Sequence, residues 1–506
     1  MYLTHLLHRA MQQTPELIMT VDGDRTRTVR EVGERVSRLA GALRGLGVKP
    51  GGRVAILAAN SDRYHEVFLA TWWCGGVVNP VNARWSDAEL AYALRDAEPA
   101  VLLIGDSHLP FLGWALDEGL QLGAVIHCGE SGVPDGALGY EQLIAEAEPI
   151  EDIRLGEDAI ATLLYTGGTT GFPKGVMMSH RAVMTSAVGY ETAVAGGVSL
   201  LTAPMFHIAA LSCWLTQNYL GGTAVFLPSF EPRAVLEAIE THRVTSLTLV
   251  PTMLQMLLDC PELDEFDTSS LWTLGYGASA IPTTLLERAM RAFPNVGFVQ
   301  GYGTTETAIV TALSRKDHLV GGARLRSVGR PVPHCEVRIA DPSGAEVARG
   351  DVGEILVRGD GLMRGYWNQP EQSDEALRCG WMHTGDAAYM DSDGYVFIVD
   401  RMKDMIISGG ENIFSSEVEN VLVAHPAVSS CAVIGLPDER WGERVHAVVA
   451  LRPGVAVTVE ELKDYTAESI ARYKVPKTFD FVDTLPVSAA GKVLKRDLRD
   501  RRVRGV

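Results

Sequence analysis

The sequence predicts an α/β protein: a large N-terminal region of layered, largely parallel sheets, then a small α+β region. Three observations predict it. Strand-like apolar runs alternate with helical patterns from Thr28 to Gly303, which implies βαβ units. From residue 327 to 400 the texture turns to short strands and turns, and past Asp404 another α+β unit follows.

The elements follow in order. "TVREVGERVSRLAGALRGLG" opens with Thr28 and Glu31 in capping-box spacing and carries helical apolar periodicity. "RVAILAAN" is a buried strand, Ser86 and Glu89 cap the next helix, and "AVLLIGD" returns to strand. The alternation goes on through "AIATLLYT", "TAVFLP", a helix at 231–243, "TSLTLVP", "LWTLGYG", a helix at 282–293 and "VGFVQGYG". "EVRIAD", "GEILVRG" and "GYVFIVDR" are the short strands. In the last unit Ser416 and Glu419 again have capping-box spacing, with helices expected at 416–423 and 459–471 and strands at "SCAVIGL" and "HAVVALR". The division falls at 1–402 and 403–506.

A chain of 506 residues exceeds the size at which one core stops growing, so at least two domains are expected. Its net charge of −18 argues against nucleic acid or an anionic membrane as a partner. Seven scattered cysteines without a C-x-x-C pair fit reduced cytoplasmic thiols. The opening "MYLTHLLHRAMQQTPE" lacks a signal peptide's pattern. Thr192 to Phe230 holds no Asp, Glu, Lys or Arg, but its glycines and Pro204 cut it into strands and one buried helix rather than a membrane span.

Three polar, glycine-rich motifs end predicted strands: "YTGGTTGFPKG" at 165–175, "GYGAS" at 275–279 and "GYGTTE" at 301–306. Open α/β sheets bind ligands at the carboxyl ends of their strands. Each motif alone is also an ordinary tight turn, and the three together carry the argument. The first is suited to phosphate, since glycines let backbone N–H groups approach oxygen while threonines and a lysine add donors and charge. It is not a P-loop, because Pro173 precedes Lys174 and Gly175 follows it, and no G-x-G-x-x-G fits a dinucleotide site.

These stretches, with "PMFH" (204–207), "GWMHTGD" (380–386), "DRMKDMIISGGENI" (400–413) and "LPVSAAGKVLKR" (485–496), stand in one order along nearly the whole chain. The chain thereby resembles the adenylate-forming superfamily of acyl-CoA synthetases, amino-acid adenylation domains and beetle luciferases. The resemblance implies two α/β subdomains and a β-barrel-like subdomain, followed by a mobile C-terminal domain. It also implies two steps: a carboxylate attacks the α-phosphate of ATP, releasing pyrophosphate, and the thiol of CoA then displaces AMP.

Roles carry over by position. Thr166, Gly167, Gly168, Thr169, Thr170, Gly171 and Lys174 would hold the β- and γ-phosphates, although Gly167 stands where many relatives have Ser. Glu306 would bind Mg²⁺, Thr305 would donate to the α-phosphate and Tyr302 would stack on adenine. Gln300, Gly301, Gly303, Thr304 and Gly277-Ala278-Ser279 would complete the nucleotide site. Asp386 and Arg401 would hold the ribose, and Lys492 would neutralise charge during adenylation. For Asp386 a turn cap and for Lys492 a solvated basic tail are the structural alternatives. Lys403 matches the hinge. Ser408, Gly409, Gly410 and Glu411 would line the pantetheine path, and Trp441, Tyr473, Lys474 and Lys477 would meet the rest of CoA, unless "ARYKVPK" is a plain basic helix end. His207 would gate thiolation or line the acyl pocket with Ile208, Ala209, Tyr276 and Gly303; a structural core histidine is the other reading. With His207 where amino-acid-activating relatives have Asp, no carboxylate awaits a substrate amine, and no arginine is placed for a second carboxylate, so the acid would be monocarboxylic, fatty or aromatic. Relatives that use acetate have tryptophan at the position of Gly303, so glycine there implies a longer chain or a ring, unless the turn needs glycine only for a positive φ. Loading of a carrier protein, luciferase-like oxidation or an inactive acyl-nucleotide sensor are the alternatives, and a homodimer is open.

Overall fold

The structure is a computed structural model, described here for all residues except 1, 167–172, 190–192, 409–410, 488–492 and 505–506 and the side chains of 403, 412, 503 and 504. Packing divides it into two compact units. The first holds Met1–Val337 and Val357–Met382, the second Arg338–Leu356 and His383–Val506. This is a division of packing, and it is distinct from the hinge expected at Lys403.

The first unit contains two large sheets. The seven-stranded sheet runs in the order Leu138–Gly139, Ala124–His127, Val101–Ile104, Arg53–Leu57, Val77–Pro80, Ile160–Thr166, Lys174–Ser179. All its pairings are parallel except the last. The nine-stranded sheet runs Arg330–Pro331, Ala308–Leu313, Gly297–Thr304, Thr273–Gly277, Ser246–Leu249, Val198–Leu201, Thr223–Phe226, Ile18–Asp22, Arg25–Thr28. Its middle is parallel and its two ends are closed by antiparallel pairs. The expected parallel layering is therefore present. Strands buried on both faces read as continuous apolar runs, which is why "RVAIL" and "VLLI" were legible as strands.

Both capping boxes expected in this unit form, at Thr28/Glu31 and Ser86/Glu89. The stretch from 192 to 230 resolves, in its described part, into Val198–Leu201, helix Ile208–Tyr219 and Thr223–Phe226. Among the described residues no helix is long and apolar enough to cross a membrane.

A four-stranded sheet runs in the order Cys335–Ala340, Gly353–Gly359, Met382–Met390, Val396–Arg401, most of it in residues of the second unit. This is the short-strand region for which the resemblance implies the β-barrel-like subdomain. A second sheet joins Glu411–Ile413, Ile406–Ser408, Gly442–Leu451 and Val428–Asp438, with Thr478–Val482 added parallel to Gly442–Leu451. Helices Ser415–Ala424 and Val459–Ser469 lie close to their expected positions. The capping box expected at Ser416/Glu419 does not form: the helix starts one residue earlier. The Ser416 N–H and the Ser415 hydroxyl go to Asp400, and Glu419 accepts instead from Val433 N–H and pairs with Lys495 at 2.7 Å.

Candidate active site

The "YTGGTTGFPKG" motif is a hairpin. Strand Ile160–Thr166 turns back into Lys174–Ser179, with Tyr165 opposite Gly175 and Thr166 opposite Lys174. The turn residues Gly167, Gly168, Thr169, Thr170 and Gly171 lie outside the described residues. A side chain at position 175 would press within 2.9 Å of Leu163 and 3.0 Å of the Tyr165 ring, so glycine is needed there for close packing. The Lys174 ammonium lies 4.9 Å from the centroid of the Tyr366 ring.

The "GYGTTE" motif is also a hairpin. Gly297–Thr304 returns as Ala308–Leu313, with a register shift between Tyr302 and Gly303. Val310 is the extra residue of this bulge, and Ala308, paired with Thr304 beside the turn, adopts a left-handed φ of 51°. The buried Thr307 hydroxyl accepts from Thr304 N–H at 2.9 Å and closes the turn that presents Thr305 and Glu306. Glu306 in turn accepts a hydrogen bond from the Tyr366 hydroxyl, Oη to Oε1 2.9 Å.

Gly303 corrects the size argument. A Cβ there would drive into the carbonyl of Ala308 on the paired strand, and Gly303 is not in the left-handed region. Glycine is required by the approach of two backbones, so its presence says nothing about acyl length. Gly277 is constrained likewise, because its Cβ would meet the carbonyl of Gly301 on the paired strand. Ala278 follows with a left-handed φ of 65°, and Ala278 and Ser279 are exposed beside the end of that strand. Gln300 is buried, while Gly301, Tyr302, Thr304 and Thr305 are half-buried.

Around His207 the chain is held by Asn60. Its amide donates to the carbonyl of Ala203 at 2.9 Å and its oxygen accepts from Met205 N–H at 2.9 Å. His207 then precedes helix Ile208–Tyr219, its ring 4.6 Å from that of Phe206, with Ile208 half-buried and Ala209 exposed. Tyr276 does not belong with them. Its hydroxyl donates to His318 Nε2 at 2.8 Å, because His318 Nδ1–H is taken by the Ser314 carbonyl, and its ring joins the apolar core of Leu274, Leu286 and Phe298. The adjacent Gly275 faces Thr248, whose hydroxyl accepts from Cys213 on helix Ile208–Tyr219. Strand alternation turns Tyr276 to the other side. Burial pushes the Tyr276 hydroxyl above the ordinary tyrosine range and the His318 imidazole below its own.

In the second unit, Asp386 and Arg401 stand opposite each other on paired strands and form an ion pair of 2.7 Å, with Asp386 buried. Ser408 pairs with Glu411 in a tight hairpin, while Gly409 and Gly410 lie outside the described residues. Trp441 is exposed under the guanidinium of Arg440, 4.7 Å from its ring centroid, and Tyr473 and Lys477 are exposed as well. Lys474 is engaged: its ammonium donates to both oxygens of Glu417 at 2.7 Å. Lys403 sits in the short helical turn Met402–Asp404, and Lys492 lies outside the described residues.

Three residues with a part in this geometry escaped sequence reasoning: Tyr366, Thr307 and Asn60. Asn60 ends the buried strand run "RVAILAAN", so the strand-end logic applied to the glycine motifs would have found it. Tyr366 had a weaker signal, an aromatic pair ahead of a turn in "GYWNQP".

Among the described residues no three His, Cys, Asp or Glu side chains gather as a metal site. A Mg²⁺ brought by ATP would need only one or two carboxylates, its shell otherwise filled by phosphate oxygens and water. Glu306, with one oxygen held by Tyr366, is the carboxylate that would take such an ion.

Comparison with known proteins supports one reading of these features. The AMP-binding enzyme family model matches residues 7–367, and the AMP-binding enzyme C-terminal domain matches 417–492. The chain is 40% identical to a feruloyl-CoA synthase of an Amycolatopsis species over 97% of both chains. It superposes on the o-succinylbenzoate CoA synthetase MenE from Bacillus subtilis, solved with its acyl-adenylate, with a TM-score of 0.85, 33% identity and 98% of each chain covered. The amide bond synthetase McbA from Marinactinospora thermotolerans gives a TM-score of 0.88 at 32% identity, over 98% of this chain and 99% of that one.

Proposed function

The chain belongs to the AMP-binding enzyme family, and on that premise we propose how its residues divide the work of an AMP-forming acid–thiol ligase. A carboxylate oxygen attacks the α-phosphorus of ATP, and the bond to the bridging oxygen breaks to release pyrophosphate. The thiol of CoA then attacks the acyl carbon, AMP leaves with the former carboxylate oxygen, and the thiol proton goes to solvent. The anhydride is needed because a free carboxylate offers a thiol only oxide as leaving group.

The observation that carries the reading is the meeting of Lys174 and Glu306 on one side chain, Tyr366. A cation for phosphate and a carboxylate for a phosphate-bound Mg²⁺ then belong to one site. Thr166 and the turn after it bind the β- and γ-phosphates, Thr305 the α-phosphate, and the adenine lies between Tyr302 and the Gly277–Ser279 loop. Asp386, aligned by its pair with Arg401, accepts the ribose hydroxyls. Lys492 neutralises the approach of carboxylate to phosphate and then withdraws as the chain rotates about Lys403, letting the Ser408–Glu411 hairpin and Trp441 receive CoA. His207, Ile208 and Ala209 border the acyl group.

The acid is monocarboxylic and aromatic or fatty. A feruloyl-CoA synthase at 40% identity favours the aromatic side. The setting is the cytoplasm, in keeping with seven free thiols.

A panel of benzoic, hydroxycinnamic and fatty acids, incubated with ATP and Mg²⁺ with and without CoA, tests this. AMP, pyrophosphate and thioester are expected in equal amounts for at least one acid when CoA is present. Adenylate without thioester for every acid overturns CoA as the acceptor, and ADP formation overturns the chemistry.

A further inference from the structure

We propose that Tyr366 is a positioning residue that sets the phosphate lysine and the cation-holding carboxylate relative to each other before ATP arrives. The inference rests on the reading of Lys174 and Glu306 given above. No motif in the sequence marks Tyr366 for this task.

The backbone supplies the first argument. Residues 363–367 run as a splint between the two hairpins. On one side Met363 N–H donates to the carbonyl of Glu306 at 2.8 Å. On the other, Arg364 N–H donates to Met177 at 2.8 Å, Met177 N–H to Gly365 at 3.0 Å, and Trp367 N–H to Gly175 at 2.7 Å. Val176 and Tyr366 form an antiparallel bridge within this ribbon. The far end is anchored too. Trp367 Nε1 donates to the Asp96 carbonyl at 2.9 Å, and the side chain of Asp96 accepts from the Tyr165 hydroxyl of the phosphate hairpin. The two hairpins belong to different sheets, so their spacing is not set by either sheet's own ladder. The splint sets it.

The side chain supplies the second argument. The phenol donates to Oε1 of Glu306 at 2.9 Å. That fixes the carboxylate's plane and leaves Oε2 for a hard cation. The same ring presents its face to the Lys174 ammonium at 4.9 Å. A π-face attracts the charge without acting as a carboxylate acceptor for its N–H groups, which suits a lysine whose donors are meant for phosphate. One residue thus restrains both groups through two separable contacts, the hydroxyl and the ring.

That separation makes the test. Tyr366→Phe keeps the ring and removes the hydroxyl, and Tyr366→Leu removes both. Binding of ATP by calorimetry in chelator, binding of ATP with Mg²⁺, and the Mg²⁺ dependence of acid-dependent ATP–pyrophosphate exchange are read for each. Tyr366→Phe is expected to bind metal-free ATP as the wild type does, to need about three- to tenfold more Mg²⁺ for half-maximal exchange, and to recover most of its kcat at saturating Mg²⁺. Tyr366→Leu is expected to weaken metal-free ATP binding about threefold or more in addition. An unchanged Mg²⁺ requirement in Tyr366→Phe overturns the role, even if Tyr366→Leu fails to fold. A wild type that neither binds ATP nor exchanges pyrophosphate overturns the underlying reading and this inference with it, whereas a competent wild type with indistinguishable variants overturns this inference alone.

Discussion

Lys174 and Lys474 look alike in the sequence, each in a short motif with a neighbouring aromatic residue, yet their surroundings differ. Lys174 lies over the ring of Tyr366 at the mouth of a hairpin. Lys474 gives its ammonium to both oxygens of Glu417. The first arrangement places the charge over a ring without a carboxylate partner in the contact, and the second neutralises it. The contrast extends to the regions around them. The two hairpins of the first unit are stitched together by backbone bonds through residues 363–367. In the second unit, Trp441, Tyr473 and Lys477 are exposed side chains. On the proposed reading, the first group would serve a site assembled in advance, and the second would serve CoA only in a later pose.

The largest effect that bears on this contrast is at Lys492. Lys492→Ala is expected to lower adenylation about a hundredfold or more, the scale for loss of one preorganised charge. Supplied with synthetic acyl-adenylate, the variant should still form thioester at near the wild-type rate. Equal losses in both half-reactions would remove the division of labour between poses.

Next comes Gly303, which tests how rigid the assembled region is. Gly303→Ala forces a methyl against the Ala308 carbonyl and is expected to cost about 2–3 kcal/mol of stability, the range for overpacking. Urea melts measure it. Unchanged stability together with a shift toward acetate would restore the discarded reading of Gly303 as a pocket floor.

The smallest effect lies at Lys474. Its half-exposed pair with Glu417 predicts that Lys474→Ala costs about 0.5–1 kcal/mol of stability and moves the KM for CoA less than about threefold. Trp441→Ala should raise that KM about tenfold, since a base stacked on an aromatic ring is worth about 1–3 kcal/mol. A larger CoA effect from Lys474 than from Trp441 would show that the lysine leaves Glu417 to meet the ligand.

The layered α/β order, its two capping boxes and the strand-end location of the three glycine-rich motifs were all readable in the amino-acid string, because each is a local matter of periodicity and spacing. So was the family, since its motifs keep their order along the chain. Contacts between distant segments were not readable. That Tyr366 reaches Glu306 across a separation of 60 residues depends on two sheets meeting, and no local pattern encodes it. Tyr276 and Gly303 mislead for the same reason. Both sit in motifs whose sequence points to a ligand, yet the face a tyrosine takes on a strand, and whether a glycine leaves space or only lets two backbones touch, are decided by what packs against them. Sequence by itself determined which chemistry the chain carries. Tertiary structure decided which side chains stand near enough to take part, because strand pairing and packing set distances that composition and spacing leave open.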